Sequence, residues 1–324
     1  MSRIASLVVL AACGSSAPSG EPGDAGRDAA IAIDAAHDAA PRTCGERTDR
    51  RGLTHRTAMV DGIARTYLVY LPGADDPATP APLVLVFHGY TMSGQDMYDV
   101  TQYAALADRE HVAVAFPDGQ GGPSSLGAPW NVGPDVCPSF EGVTPIATGN
   151  DFGFIDTIKA DVATDQCLDA AHEFTTGFSM GGYFTHHTAC MRDDIAGAAP
   201  ASGGTHDLAS CTGAIKPIII FHGDSDAVIP TGCDDPDALP VIGREAAATA
   251  WARRNGCAMT TTKVTVDGGG CKYFDGCPAH AQVAFCSFDA MGHCWAGGPQ
   301  SLFGCPAYAK ATELEWAFWK QYAW

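Results

Sequence analysis

Short, continuously apolar runs recur along the chain between segments that suit helices. The clearest are Leu83 to Phe87 (LVLVF) and Ile218 to Phe221 (IIIF). A strand has this pattern when both of its faces are buried, as in the middle of a parallel sheet. Further strands are predicted at 65–71, 112–116, 173–176, 195–199 and 282–288, and helices at 153–165, 182–191, 244–254 and 309–322. This alternation predicts an α/β fold, with helices on both faces of a mostly parallel sheet.

Length and charge narrow the classes of function. The chain has 324 residues, 46% of them hydrophobic, which is enough for one large core or at most two ordinary ones. It carries 19 basic and 37 acidic side chains, a net charge of −18. Nucleic acid is not an expected partner, because phosphate binding needs a basic face. No repeat or linker interrupts residues 44–324, which we interpret as one domain.

The N-terminus has the pattern of a bacterial export signal. An apolar stretch follows Arg3 and ends in Leu10-Ala11-Ala12-Cys13. This ending resembles a lipobox, in which the cysteine is acylated and becomes the mature N-terminus. We therefore predict a signal peptide over residues 1–12 and a lipid on Cys13, with an ordinary cleaved signal as the alternative. Residues 13–43 consist almost entirely of small residues, Pro and Asp, which predicts a flexible tether.

The cysteines also indicate export. Of thirteen, twelve remain after Cys13, between Cys44 and Cys305. An even number in a chain of this kind predicts several disulfides and an oxidising compartment, in the cell envelope or outside the cell. Zinc is the competing interpretation, but no CxxC or HExxH run occurs, and Cys271 and Cys277 are too far apart for a zinc knuckle. No metal or other cofactor is predicted.

One pentapeptide stands out, Gly177-Phe178-Ser179-Met180-Gly181. It has the GxSxG pattern of a nucleophile elbow, in which the chain turns so sharply from strand to helix that only small residues fit on either side of the serine. Strand-like residues precede it and helix-compatible residues follow. A serine hydroxyl also needs a histidine base, and that histidine needs a carboxylate to hold its tautomer.

Candidate partners follow downstream in the order acid, then histidine. The apolar run 218–221 leads into His222-Gly223-Asp224-Ser225-Asp226, which places carboxylates just after a strand. Met291-Gly292-His293-Cys294-Trp295 follows the predicted strand at 282–288. Asp224 is an alternative to Asp226 as the acid. Asp289 follows the wrong strand and is interpreted as a surface loop residue.

These motifs resemble the α/β-hydrolase esterases that include polyhydroxybutyrate depolymerase-like proteins, feruloyl esterases and acetylxylan esterases. The resemblance covers about residues 56–324. It implies that Ser179 is the nucleophile, Asp226 the triad acid and His293 the base. It rests on Phe87-His88-Gly89, the elbow at Ser179, the HGxxDxxIP run that ends at Pro230, and GHCWAGG from Gly292 to Gly298, with Asn150 to Ile155 similar to the family's acidic helix entry. Ala296 stands where the family usually has proline, which affects the expected loop geometry and substrate preference.

Other residues near these motifs receive supporting roles. The oxyanion hole is expected from the backbone N–H groups of Met180 and Tyr90. Trp130, in the Gly- and Pro-rich stretch 119–150, and Trp295 are candidate substrate walls, with core packing as the alternative for both. His88 and His222 each precede a glycine at a strand end and are expected to fix loop backbone. His186 and His187 are expected to be packing or surface residues.

The sequence thus predicts a serine carboxylesterase that acts through an acyl-enzyme, most simply on feruloyl or acetyl esters of plant polysaccharide. Its expected partner is the ester substrate, and its only expected membrane contact is the N-terminal lipid. A polyhydroxyalkanoate depolymerase is the alternative within the family, and a serine peptidase of the same fold is a second. A non-catalytic, polysaccharide-binding surface lipoprotein is the alternative of another class. The oligomeric state is left open.

Overall fold

The architecture is described from a computed structural model, over residues 44, 47–48, 50–120, 129–133, 149–205, 208–229, 242–300 and 303–324. These residues belong to one compact unit, Pro41–Trp324. The predictions made for the signal peptide (1–12), for Cys13 and the tether (13–43), and for Pro230 lie outside the described residues.

Strands supply the framework of the unit. Within the described residues they are β1 (Gly52–Val60), β2 (Ile63–Leu71), β3 (Ala81–Phe87), β4 (Ala113–Pro117), β5 (Leu168–Phe178), β6 (Gly197–Ala201), β7 (Gly204–Thr205), β8 (Ile218–Gly223), β9 (Ile242–Gly243), β10 (Thr261–Val266), β11 (Gly269–Phe274), β12 (Val283–Phe288), β13 (Trp295–Ala296) and β14 (Gly304–Cys305).

Helices connect these strands. In the same ranges they are α1 (Gly94–Thr101), α2 (Tyr103–Glu110), α3 (Asp151–Asp165), α4 (Met180–Met191), α5 (Arg244–Asn255) and α6 (Ala311–Tyr322). Polar side chains cap two of them: Asn150 accepts a hydrogen bond from the Gly153 N–H at the start of α3, and Ser93 and Asp96 form a reciprocal capping box on α1. None of the helices described here is both long and apolar enough to cross a bilayer.

Ten strands form one sheet in the order β1-β2-β4-β3-β5-β6-β8-β12-β11-β10. From β4 to β12 the neighbouring strands run parallel, and antiparallel hairpins extend the sheet at both sides. The predicted α/β fold with a mostly parallel sheet is therefore confirmed. The runs at 83–87 and 218–221 lie in the interior strands β3 and β8, which explains why both of their faces are apolar.

The core consists of two layers, one on each face of the sheet. Leu83 and Leu85 of β3 pack with residues of α3 and α4, whereas Val84 and Val86 pack with residues of α1, α2 and α6. Ile218 and Ile220 of β8 pack with residues of α5. Successive strand residues alternate between the two layers, as the period-two geometry of a strand requires.

Five disulfides connect cysteines of the described residues, and they cross-link segments distributed along the unit. They are Cys44–Cys167, Cys190–Cys211, Cys257–Cys277, Cys271–Cys286 and Cys294–Cys305. Cys271 and Cys277, the pair considered for zinc, are bridged to different partners. Each native disulfide typically contributes about 2–4 kcal/mol of stability. Cys137 and Cys233 lie outside the described residues.

The structure adds elements that the apolar pattern did not predict. The edge strands β1 and β10 and the strand β11 have no continuous apolar run, and the residues of β10 are largely exposed. The helices α1 and α2 have only eight residues each, too few to establish a clear period. Elsewhere the predicted elements differ from the observed ones mainly at their ends; β5, for example, begins at Leu168 rather than at residue 173.

A buried carboxyl group links α6 to the sheet. Glu315 has no exposed surface and accepts a hydrogen bond from the Tyr103 hydroxyl. The Thr176 hydroxyl lies 2.8 Å from Glu315 Oε2 and 2.7 Å from the Ala199 carbonyl oxygen. That hydroxyl has one proton, so both contacts are satisfied when protonated Glu315 donates to Thr176 and Thr176 donates to Ala199. Burial raises the pKa of Glu315 to about 8, although the hydroxyl contacts lower it, which agrees with a neutral side chain.

Glu315→Gln should remove a pH dependence of stability. Because the folded-state pKa is raised, the stability that this group contributes is full below about pH 4.5 and is lost as the pH rises to about 8, by up to about 1.4 kcal/mol per pH unit. A glutamine keeps both contacts and does not ionise. Urea unfolding at several pH values should show the free energy of unfolding of the variant improving relative to wild type between pH 5 and 8.

Glu313→Gln on the same helix is the matched control. Glu313 is about half exposed and pairs with Arg109 at the surface. Its substitution should leave the pH dependence of unfolding parallel to that of wild type. Parallel curves for Glu315→Gln as well would contradict a neutral, buried Glu315.

Candidate active site

Ser179 lies at the sharp turn between β5 and α4. Its backbone has φ 56° and ψ −118°, outside the regions that side-chain-bearing residues normally adopt. Such a conformation costs about 1–3 kcal/mol and persists only where the surrounding structure imposes it. Here the Ser179 N–H donates to the Ala201 carbonyl, at 2.9 Å, which ties the turn to the neighbouring strand β6.

The glycines on either side of Ser179 are required by close backbone contacts. A Cβ on Gly181 would lie 2.1 Å from the Phe87 carbonyl oxygen, and one on Gly177 would lie 2.4 Å from the Gly181 carbonyl oxygen. These positions therefore admit no side chain, as the elbow pattern predicts.

The N-terminus of α4 presents backbone donors beside Ser179. The Tyr183 N–H bonds the Ser179 carbonyl at 3.1 Å, so the N–H groups that precede it in the helix have no intrahelical acceptor. Met180 supplies the first of them, at the positive end of the helix dipole. The loop that contains Tyr90 is close by, because a Cβ on Gly89 would lie 3.2 Å from the Ser179 Cβ.

Asp226 and His293 meet although they are 67 positions apart in the sequence. His293 Nδ1 lies 2.8 Å from Asp226 Oδ2. The other carboxylate oxygen, Oδ1, accepts hydrogen bonds from the backbone N–H groups of Val228 at 2.9 Å and Ile229 at 3.1 Å. The turn after β8 thus fixes one oxygen and leaves the second to orient the imidazole.

The environment of Asp226 favours its ionised form. Burial raises the pKa of its carboxyl group, but the contacts with His222 and His293, together with the Ile229 N–H, lower it by more, so the pKa falls well below its usual range. The carboxylate therefore stays negative at neutral pH and can stabilise a positive charge on His293.

The loop that carries His293 is held from two sides. The His293 ring lies 4.7 Å from the ring of Phe178, the residue before Ser179. The next residue, Cys294, is bridged to Cys305, and β13 pairs with β14 just beyond it. The imidazole is thus placed against the elbow by packing and by a covalent link.

The turn after β8, which carries Asp226 and is called the acid turn, is also joined by its backbone to the histidine loop, the segment between β12 and β13. The Ser225 N–H donates to the Met291 carbonyl at 3.0 Å, and the Asp224 N–H donates to the Phe288 carbonyl at 3.1 Å. At Gly223 the approach is so close that a Cβ would lie 2.1 Å from the Met291 carbonyl oxygen. The two segments therefore fit together only with glycine at this position.

The rival residues lie elsewhere. Asp224 is exposed and accepts a hydrogen bond from the Ser225 hydroxyl, and Asp289 is also exposed. His186 is buried and accepts a hydrogen bond from the Trp251 indole N–H, at 2.9 Å. His187 stacks on Phe152. Both histidines therefore pack within the fold, and Asp226 is the carboxylate in contact with His293.

His88 fixes the loop after β3. Its Nδ1 lies 2.6 Å from the Gly89 carbonyl oxygen, and its Nε2 accepts the Gly119 N–H at 2.7 Å. This arrangement needs a proton on Nδ1 and a lone pair on Nε2, that is, a neutral imidazole. Burial lowers the pKa of His88, which keeps it in this form. The loop-fixing role expected for this residue agrees with these contacts.

The two tryptophans proposed as substrate walls are both buried, with 1% exposure each. Trp130 stacks on Phe184 at 5.0 Å, and its indole N–H donates to the His88 carbonyl. Trp295 lies in the core layer that contains Met291 and Trp316. This placement agrees with core packing, the alternative given for both residues, and contact with substrate stays a prediction.

His222 has a contact that the sequence analysis did not predict. Its Nε2 lies 3.2 Å from Asp226 Oδ2, the same oxygen that contacts His293. The spacing of four residues between His222 and Asp226 across a tight turn allows this contact without specifying it. The role expected for His222, fixing loop backbone, does not include this contact.

Similar proteins are esterases. The chain is 27% identical to "Feruloyl esterase B" of Piromyces equi over 248 residues, which are 72% of this chain and 43% of that protein. It is 29% identical to "Feruloyl esterase C" of Emericella nidulans over 269 residues, 79% of this chain and 84% of that protein. The solved acetyl xylan esterase from Aspergillus awamori matches the fold with a TM-score of 0.54 at 16% identity, over 75% of this chain and 94% of that one. No protein-family model matches.

The chain thus spans less than half the length of the first of these relatives and most of the second. The fold of the chain is similar to that of the solved esterase, and both sequence relatives are named as feruloyl esterases. Together these similarities show that the chain has the α/β-hydrolase fold and that its sequence relatives are named as esterases.

Proposed function

We propose that the chain is a serine carboxylesterase that acts through an acyl-enzyme on feruloyl or acetyl esters of plant polysaccharide. The observation that carries the proposal is the 2.8 Å contact between Asp226 and His293, in a loop packed against the strained turn at Ser179. A buried carboxylate, an oriented imidazole and a serine on an elbow are the parts that acyl transfer requires.

The role of His293 follows from which of its ring nitrogens does not contact Asp226. Asp226 contacts Nδ1, so Nε2 is the nitrogen that accepts the Ser179 proton as the serine oxygen attacks the ester carbonyl carbon. His293 then gives that proton to the departing alcohol as the carbon–oxygen bond breaks. Water repeats the sequence on the acyl-enzyme, which releases the acid and restores Ser179. Asp226 stabilises the imidazolium in both steps.

The negative oxygen of each tetrahedral intermediate needs hydrogen-bond donors. We assign them to the backbone N–H groups of Met180 and Tyr90, one at the start of α4 and one in the loop beside Ser179. A preorganised donor of this kind is worth about 3 kcal/mol of transition-state stabilisation. The contacts of His88 with Gly89 and Gly119 support the Tyr90 loop.

The proposed substrate class is supported by two sequence relatives that are named feruloyl esterases and by the similar fold of a solved acetyl xylan esterase. The disulfides support an oxidising compartment outside the cytoplasm, where a polymer could be reached. We further propose that the lipid on Cys13 anchors the enzyme to a membrane, with residues 14–43 as the spacer.

Ser179→Ala should abolish ester hydrolysis. Without the hydroxyl no acyl-enzyme forms, and kcat for p-nitrophenyl acetate should fall by roughly 10³-fold or more while the melting temperature stays near wild type. A wild-type chain without turnover above background would favour a non-catalytic, polysaccharide-binding protein instead.

A second experiment identifies the substrate. With Ser179→Ala as the blank, the release of ferulate, acetate and 3-hydroxybutyrate from their natural polymers is compared. Release of 3-hydroxybutyrate alone would identify a polyhydroxyalkanoate depolymerase.

Gly223→Ala should misplace the base. The new Cβ would lie 2.1 Å from the Met291 oxygen and 2.6 Å from the Gly292 oxygen, so the loop before His293 must move. A displacement of about 1 Å at a catalytic group costs roughly 100-fold in rate, so kcat and the melting temperature should both fall. The matched control is Gly292→Ala, whose Cβ would meet nothing within 4 Å and whose melting temperature should stay near wild type. Equal behaviour of the two variants would refute the steric coupling of acid turn and histidine loop.

Cys13→Ala should release the protein from membranes. In a bacterial host, the wild type should incorporate an alkyne-labelled fatty acid and partition with detergent, because a thioether-linked lipid is attached at this residue. The variant should do neither. Label retained by Cys13→Ala would rule out acylation at this cysteine, whereas an unlabelled wild type would indicate an ordinary cleaved signal.

A further inference from the structure

A second buried imidazole faces the carboxylate of Asp226. His222 is the penultimate residue of β8, an interior strand of the sheet, and lies opposite Ser287 of β12. It is 1% exposed, and its Nε2 is 3.2 Å from Asp226 Oδ2. Neither ring nitrogen has a hydrogen-bond partner of good geometry among the described residues. The contact with the carboxylate of Asp226 therefore offsets part of the cost of burying this polar ring.

The carboxylate decides which nitrogen of His222 carries the proton. A neutral imidazole has one N–H and one lone pair. A lone pair on Nε2 would oppose the lone pairs of Oδ2, whereas an N–H there presents its positive end to the negative charge. Asp226 therefore selects the Nε2–H tautomer of His222, and the contact acts as an electrostatic one rather than as a well-aligned hydrogen bond.

We propose that His222 is a positioning residue, which keeps Asp226 turned toward His293 and shares with that histidine the carboxylate oxygen between the two rings. The proposal rests on the proposed serine mechanism. Backbone N–H groups hold Oδ1, so His222 and His293 share Oδ2. Positive N–H dipoles from two rings compete for the same oxygen. Each weakens the negative charge that the other experiences.

The neighbouring charges do not duplicate this role. Arg244, at the start of α5, donates to the main-chain oxygen of Asp226 rather than to its carboxylate. Asp224 is exposed and bonded to the Ser225 hydroxyl, and Asp289 is exposed in the loop after β12. Among the described groups, the side chains that contact the carboxylate are thus the two histidines.

Removal of the His222 N–H has two expected effects. The carboxylate then acts on His293 alone, so the acid limb of the kcat/KM profile should move to higher pH. It also loses one of the contacts that fix its rotamer, which lowers kcat. A residue with a purely structural role would change the melting temperature without moving the acid limb.

Three variants separate these effects. His222→Gln places an amide N–H at the same distance along the side chain as Nε2, whereas His222→Asn is polar but too short to reach Asp226, and His222→Leu is apolar. The full profile of kcat/KM against pH for p-nitrophenyl acetate, with melting temperatures, is measured for each. We expect His222→Gln to stay within about threefold of wild type with an unchanged acid limb. We expect His222→Asn and His222→Leu to lose about tenfold in kcat and to shift the acid limb upward by about half a pH unit or more.

The outcomes are distinct. If His222→Leu does not fold, the comparison of glutamine with asparagine carries the test, since both are polar. An acid limb that is the same in wild type, His222→Asn and His222→Gln would overturn the proposal while leaving the esterase mechanism intact. A glutamine variant as impaired as the asparagine variant would overturn it too. Turnover that survives Ser179→Ala would instead refute the mechanism on which it rests.

Discussion

Close backbone contact at the carboxyl edge of the sheet is the constraint on which the site depends. The turn at Ser179 packs against the end of β3, and the end of β8 packs against the loop before His293. In each case the contact is made at a glycine, because the neighbouring backbone leaves no room for a Cβ there. Interiors are packed too densely to absorb such an overlap without displacement. The strained serine conformation therefore persists because its neighbours leave the backbone no alternative.

From this edge outward, the structure fixes the site in successive layers. The acid turn uses two backbone N–H groups to fix one oxygen of Asp226 and leaves the other to the imidazoles. His88 immobilises the loop that carries Tyr90. The groups that would touch substrate are thus held by groups that would not, which is the preorganisation that stabilising a developing charge requires.

The sequence predicted the parts whose signal is local. Interior strands such as β3 and β8 are apolar on both faces, and the elbow must have glycines flanking Ser179, so both are visible without the fold. The edge strand β10 was missed because it is exposed, and an exposed strand has no apolar run. The burial of Trp130 could not be predicted, because burial of a loop residue is decided by which distant side chains it meets, here Phe184. The contact between His222 and Asp226 depends on how the turn after β8 bends, and spacing alone does not specify that.

The cross-link between Cys294 and Cys305 closes a short segment directly behind His293, whereas the sheet is held by its own hydrogen bonds and two apolar layers. The bridge therefore stabilises a small region more than the whole unit. When the chain is produced in a reducing cytosol, the strands can still assemble while this segment is free to fray. A soluble, folded preparation made that way would be an unreliable guide to the esterase activity proposed for the chain, and production through an export pathway is the sound basis for assay.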